Sequence, residues 1–283
     1  MRLQQHKMSG REAARIAGLG LAGPLRIFIL FLIFLLSLDK SCADLDPELN
    51  EIPLRTEFTQ EPLFVSLGST CEVTHQLRFL GLRAAAFPLD WALSLNNSQI
   101  IRLLEEDFVY FNDEEYLSSY ATVLLNTRYC LLFPHEGNWE APETLENFKC
   151  KSQRRIDRFK SLGSYQGKVF FIRAACPNAE NPKAVYTDAE NLHITNDYSV
   201  LLYQTLKNKF PELDFTLIIM NFFNQDDVLL NTISNNIIEV HYNPYFDIKP
   251  KLNLSKRTFI ALLQNLGCSE SQTFRNLVSL DID

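Results

Sequence analysis

The chain has 283 residues, 46% hydrophobic and 22% charged, with 21 Phe. Those proportions suit a globular protein and argue against disorder over most of the length. Its net charge is −7, yet the first 43 residues carry six basic and two acidic side chains, so residues 44–283 hold −11. A domain that acidic repels phosphate backbones, which excludes general nucleic-acid binding.

The N-terminus reads as a targeting segment. Ile27 to Leu38 is an apolar run, broken only by Ser37, behind Arg26 and a basic stretch, followed by Ser41-Cys42-Ala43. Basic region, short apolar region and small residues form the layout of a cleavable signal peptide. Extending the span back to Ala17 gives about 22 residues, broken by Pro24 and Arg26, enough for a retained anchor through residues 17–38. A buried core helix is the third reading. Basic residues before the segment orient the main domain to the non-cytoplasmic side, secreted or membrane-anchored. The expected organisation is therefore a signal peptide or anchor at 1–43, a polar two-proline linker at 44–61 and a single α/β domain at 62–283.

Cleavage after Ala43 would leave Cys71, Cys130, Cys150, Cys176 and Cys268. An odd number in an oxidising compartment leaves a thiol over; two disulfides among the last four with Cys71 outside them is one partition. No spacing suits a zinc site, and no metal or cofactor is expected.

Within the domain, Leu63–Leu67 is a short apolar run closed by Gly68. An amphipathic stretch from Cys71 to Leu80 follows and stops at Gly81. This predicts strand, tight turn and helix, with Ser69 or Thr70 as N-cap and Gly81 just past the end. A second helix is expected over Ser98–Phe108. Lys168–Arg173, Phe215–Met220 and Ile237–His241 read as buried strands, with helices at Tyr198–Phe210, Asp226–Ser234 and Lys256–Leu266. That alternation predicts a mostly parallel or mixed sheet flanked by helices.

Cys71 falls in the first helical turn, over the carboxyl edge of the sheet, where open α/β proteins place ligands. The partial positive charge of a helix start lowers a thiol pKa and can hold an oxyanion, so Cys71 is a candidate nucleophile. The plainer alternative is a buried structural cysteine.

Ser66-Leu67-Gly68-Ser69-Thr70-Cys71, then Leu77-Arg78-Phe79-Leu80-Gly81-Leu82-Arg83, then Phe87-Pro88-Leu89-Asp90-Trp91 resemble the signature of a family described as papain-like cysteine peptidases. Phe133-Pro134-His135, Arg154–Phe159 and Lys168–Arg173 agree with it, over roughly residues 62–245. The resemblance implies a hydrolase, peptidase or related acyl hydrolase, with Cys71 as nucleophile and a histidine as base. His135, at the family's position after the nucleophile, is the favoured base and His241 the reserve; His75 lies on the helix of Cys71 and reads equally as a solvated residue. Asp90 is the expected orienting carboxylate, with an N-cap or an ion pair to Arg83 or Arg78 as its structural alternative, and Glu136 or Asn138 as substitutes beside His135. Oxyanion contacts fall to Ser69, Thr70 or backbone N–H groups.

Six basic residues between Lys149 and Lys160 read as a solvated helix face. Arg173, at the end of a buried strand, is placed to grip a phosphate or carboxylate. It motivates a rival reading as a carbohydrate- or nucleotide-sugar-handling protein with Cys71 structural, and a non-catalytic binding module is a third. The expected partner is a peptide, acyl or carbohydrate substrate.

Overall fold

The computed structural model describes residues 61–69, 71–94, 96–120, 123–136, 142–175, 193–222, 229–242, 248–265, 267–268 and 271–279. The leader, most of the linker, Thr70, Asn138 and Cys176 lie outside them.

The elements run in chain order β1 (Leu63–Ser66), α1 (Glu72–Phe79), β2 (Leu93–Ser94), α2 (Asn97–Glu105), β3 (Leu117–Tyr120), β4 (Val123–Asn126), β5 (Leu131–Phe133), α3 (Pro142–Lys160), β6 (Val169–Ala174), α4 (Asn196–Lys209), β7 (Phe215–Phe222), β8 (Leu229–Ser234), β9 (Ile237–Tyr242), α5 (Ile248–Asn265) and α6 (Gln272–Ser279). The main sheet has the order β1-β6-β7-β9-β8. Its first four strands are parallel and β8 is antiparallel to β9. This is the α/β fold with a mixed sheet that the alternating pattern predicts.

The period-two alternation of the strands sorts their side chains onto two faces. Phe64, Phe170, Ile172, Ile218, Met220 and Val240 meet Val73 and Leu77 of α1 and Phe259, Leu262 and Leu263 of α5. Leu63, Val65, Val169, Phe171, Leu217 and Ile219 point the other way, into a larger core with residues of α2, α3 and α4. Phenylalanine supplies much of that core: Phe171 meets Phe159, Phe210 and Phe215 at centroid distances of 6.0, 6.2 and 5.3 Å.

Local signals set the helix ends. α1 closes in a Schellman motif: Gly81 has φ +67°, its N–H donates to Arg78 O at 3.1 Å, and Leu82 N–H donates to Leu77 O at 2.8 Å. α2 begins at Asn96, whose Oδ1 accepts from Ser98 N at 3.0 Å and Gln99 N at 3.4 Å, and it buries Ile100, Ile101, Leu103 and Leu104.

Three expectations change. The segment expected as a helix over Asp226–Ser234 is strand β8 where it is described, joined to β9 through Asn235-Asn236. Its Leu-Leu-Asn-Thr-Ile-Ser run carries β-branched residues that suit an exposed edge strand, and tertiary pairing overrides a short helical pattern. A second sheet, β2-β5-β4-β3, is antiparallel throughout and was not foreseen, because its strands of two to four residues are too short to show a period. Finally, Cys71, Cys130, Cys150 and Cys268 are all thiols. Cys130 lies in the β4–β5 turn, Cys150 on the exposed side of α3 and Cys268 beyond α5, so the two-disulfide partition is not realised.

At the end of α2, Glu106 accepts hydrogen bonds from Arg102 Nε and Arg128 Nε, each at 3.1 Å. The bond from Arg128, first of all, and that from Arg102 hold its carboxyl at about 2, below the ordinary 4.5. A depressed carboxylate stabilises the fold above its ordinary value and loses that contribution as pH falls through the folded value. The melting temperature should therefore drop as pH is lowered from 4.5 towards 2, and Glu106→Gln should flatten that drop in a thermal-melt series across pH.

Candidate active site

The turn between β1 and α1 is built from residues that few other sequences could supply. Gly68 has φ +78° and Ser69 φ +110°, so the chain passes through the left-handed region twice in succession. A Cβ on Gly68 would lie 2.5 Å from Ser94 Oγ, so glycine is required by contact as well as by φ. The turn is closed on one side by Gly68 N donating to Ser66 Oγ at 3.1 Å. On the other it is tied to β2: Ser69 N donates to Ser94 Oγ at 2.9 Å, and Ser94 N donates to Ser69 O at 2.9 Å.

Beneath it lies Arg173, 1% exposed. Its NH1 donates to Leu67 O at 3.0 Å and Ser94 Oγ at 2.6 Å. Its NH2 donates to Ser94 O at 2.7 Å and Asn97 Oδ1 at 2.9 Å, and Nε reaches the same Asn97 oxygen at 3.3 Å. These contacts engage all five guanidinium N–H groups. Arg173 does sit at the carboxyl end of β6 as expected, but this guanidinium is spent on fixing three chain segments against one another. The open anion grip expected of it is corrected to a structural staple.

Cys71 is half-buried and occupies the N-cap of α1 with φ −68° and ψ −4°. The Cys71 side chain makes no cap bond, and Cys71 O accepts the His75 amide at 2.9 Å. The expected cap at Ser69 is not made: its hydroxyl is buried and has no hydrogen-bond partner among the described residues, while its backbone is committed to Ser94. Among the described residues no side-chain cap on the first-turn amides is made by Cys71, the setting in which a helix start favours negative charge.

Two of the candidate histidines converge on one indole. The His75 ring stands edge-to-face with Trp91 at 5.2 Å, and the His135 ring does so at 5.6 Å. Arg83 meets the same indole, its guanidinium carbon 5.5 Å from the ring centre. Asp90 completes the group: its Oδ2 accepts Arg83 Nε at 3.0 Å and the Phe87 amide at 3.0 Å. Burial pushes the Asp90 carboxyl above its ordinary value, opposed by Arg83, the Phe87 amide and Arg155. Its oxygens serve Arg83 and the backbone, the ion-pair alternative of the sequence reading, and the orienting role given to it passes through Arg83 and Trp91 at most. Glu136, next to His135, is drawn to α3 instead, with Lys151 and Arg155 each 3.5 Å away.

His241 is set apart. Three inter-strand steps separate β1 from β9, about 14 Å at the usual spacing, so the reserve base faces a different part of the sheet edge. Its Nε2 lies 2.8 Å from Glu239 Oε2. Burial acts to raise Glu239, but bonds from Asn221, His241 and Asn231 carry it below its ordinary value. His193 is exposed near the same edge. Ser94, Asn97 and Glu239 escaped the sequence reading because a lone polar residue in an apolar run carries no signal of what it will meet. Trp91 was visible, beside Asp90, as a motif residue without a role. Among the described residues no cluster of three or more His, Cys, Asp or Glu is placed to hold a metal ion, and no helix is long and apolar enough to cross a membrane.

Fold and site together define an α/β protein with a thiol at the opening turn of the first helix after the first strand. Residues 62–225 match the model of the family described as "Putative papain-like cysteine peptidase", and the chain belongs to that family. A curated uncharacterized protein of Acanthamoeba polyphaga mimivirus is 31% identical over 139 residues, covering 41% of this chain and 62% of that protein. The chain thus spans less than two thirds of the length of that relative. No solved structure matches.

Replacing Arg173 with Leu strands the oxygens of Leu67, Ser94 and Asn97 in the interior, each at a cost of about 1–3 kcal/mol. Urea unfolding of Arg173→Leu should show a loss of more than about 3 kcal/mol, whereas a residue gripping only an external ligand would leave unfolding unchanged.

Proposed function

We propose that this domain is a thiol-dependent acyl hydrolase of papain-like type, acting on a peptide or related acyl substrate. Cys71 is the nucleophile and His135 the general base. The observation that carries the reading is the half-buried Cys71 thiol at the start of α1, beside a left-handed turn that strains Ser69. Strain of this kind costs on the order of 1–3 kcal/mol and persists where surrounding structure enforces it, commonly at reactive sites.

In the proposed reaction His135 takes the Cys71 proton as the sulfur attacks the acyl carbon. The charge that develops on the carbonyl oxygen is held by the first-turn amides of α1, with Ser69 and Thr70 alongside. Collapse of the intermediate expels the leaving group, which takes the proton from the imidazolium, and leaves a thioester on Cys71. Water then attacks the thioester with His135 again as base, releasing the acid and restoring the thiol. Support for His135 over His241 comes from its contact with Trp91, the ring that also meets His75 one turn along from Cys71, and the family resemblance favours it over His75. His241, paired with Glu239, has no such link. The apolar leader supports placing this activity on the non-cytoplasmic side of a membrane.

Alkylation by iodoacetamide discriminates, because exposure and chemistry predict opposite orders. Cys130 and Cys150 are exposed while Cys71 is half-buried, so ordinary thiols would react in order of access. A thiol with a lowered pKa reverses that order. At pH 6 Cys71 should alkylate at least about tenfold faster than Cys130 or Cys150, since one unit of pKa depression gives about tenfold more thiolate. His135→Ala should remove most of the advantage and His75→Ala little. Cys71→Ser should abolish turnover. If peptide mapping shows Cys71 reacting no faster than the two exposed thiols, the hydrolase reading is lost.

A further inference from the structure

Helix α1 presents a row of accessible side chains that begins at the thiol. Cys71, His75 and Phe79 follow at intervals of four residues, so they lie one above another on the same side of the helix. Cys71 and His75 are half-buried, whereas Phe79 is 59% exposed, and among the described residues it is the one aromatic ring in the set of large apolar side chains left in solvent. A single exposed apolar side chain is ordinary. This one ends a series of rings: Phe79 stacks on His75 at 6.2 Å with 21° between the planes, His75 stands edge-on to Trp91 at 5.2 Å, and Trp91 meets His135 at 5.6 Å.

The helix fixes the spacing of that row. A rise of about 1.5 Å per residue sets the Phe79 Cα about 12 Å from that of Cys71. Helical side chains lean towards the N-terminus, which brings the Phe79 ring back over the turn of His75 and nearer the sulfur. An extended chain advances about 3.3 Å per residue, so an interval of about 6–12 Å corresponds to about two to four residues counted from the atom that Cys71 attacks. Aromatic rings pair offset or edge-on, and the Phe79–His75 stack already forms one such layer with its outer side in solvent. Arg78, which precedes Phe79 and is partly exposed, disfavours a second cation at the same place.

We propose that Phe79, backed by His75, is a specificity subsite serving the Cys71 thiol, and that it receives an aromatic side chain of an extended peptide about two to four residues from the carbonyl that is attacked. The inference deepens the hydrolase reading and rests on it. It names the substrate as a peptide rather than a short acyl ester or a sugar, because a chain bearing side chains at regular intervals can occupy Cys71 and Phe79 together.

Affinity labelling of the full chain in detergent tests it. The probes are iodoacetyl peptides of Gly and Ala with one Phe stepped outward from the iodoacetyl group, the same peptides with Ala or Lys in place of Phe, and iodoacetamide itself. In each case the Cys71 thiolate attacks the CH2 carbon, a C–S bond forms and iodide leaves. Well below saturation, a probe with Phe about two to four residues out should label Cys71 at least about tenfold faster than its Ala counterpart, and Phe79→Ala should cut that advantage to less than about twofold. Phe79→Leu, which keeps apolar surface without the ring, should retain part of it. Iodoacetamide is too short to reach Phe79, so its rate at Cys71 should be the same in wild type and Phe79→Ala, which shows thiol and fold intact. Equal rates for the Phe and Ala probes at every spacing, a Lys probe faster than the Phe probe, or a Phe advantage that survives Phe79→Ala overturns the subsite and leaves the hydrolase reading standing. Iodoacetamide reacting no faster at Cys71 than at Cys130 and Cys150 overturns the hydrolase reading and the subsite with it.

Discussion

A single buried guanidinium holds the working end of this domain together. Arg173 rises from the carboxyl end of β6 and bonds at once to the end of β1, to both polar atoms of Ser94 that face it, and to the first residue of α2. Those segments are distant in sequence and would otherwise meet through backbone groups with no partners, each costly to bury. The left-handed passage at Gly68 and Ser69 is stable only because Ser94 occupies the space and supplies the bonds that the turn lacks. The placement of Cys71 follows from that chain of contacts.

The thiol and the histidines are organised by different means. Backbone fixes Cys71, at the start of a helix whose far end is locked by the Gly81 motif. Side-chain packing fixes the imidazoles, both set edge-on to Trp91. Behind the indole, the Arg83–Asp90 pair is deeply buried, 2% and 3% exposed at the side chains. Desolvating such a pair is expensive, so its value here is less in stability than in defining one position for Arg83 and, through it, for Trp91.

Charge acts on two scales. The domain's overall negative charge repels an extended polyanion, while the positive charge of Arg173 is turned inward onto the oxygens of Leu67, Ser94 and Asn97. Long-range repulsion is screened within about 10 Å at ordinary salt, whereas contacts inside a recess are not.

The sequence by itself determined the elements whose signals are local. The apolar runs at Leu63–Leu67, Lys168–Arg173, Phe215–Met220 and Ile237–His241 became parallel strands, and the Gly68 turn put Cys71 at a helix start, because strand period, glycine and helix stop each act within a few residues. Tertiary structure decided what each polar residue does. Arg173 reads from the sequence as a ligand grip and becomes a staple only because Ser94 and Asn97, about 80 residues earlier in the chain, fold against it. Asp90 goes to Arg83, His241 to Glu239, and the short second sheet exists only as pairings among segments that carry no period of their own. Hydrogen bonds and ion pairs extend only a few ångströms, so which partners they join depends on the folded path of the chain, and no spacing in the sequence encodes it.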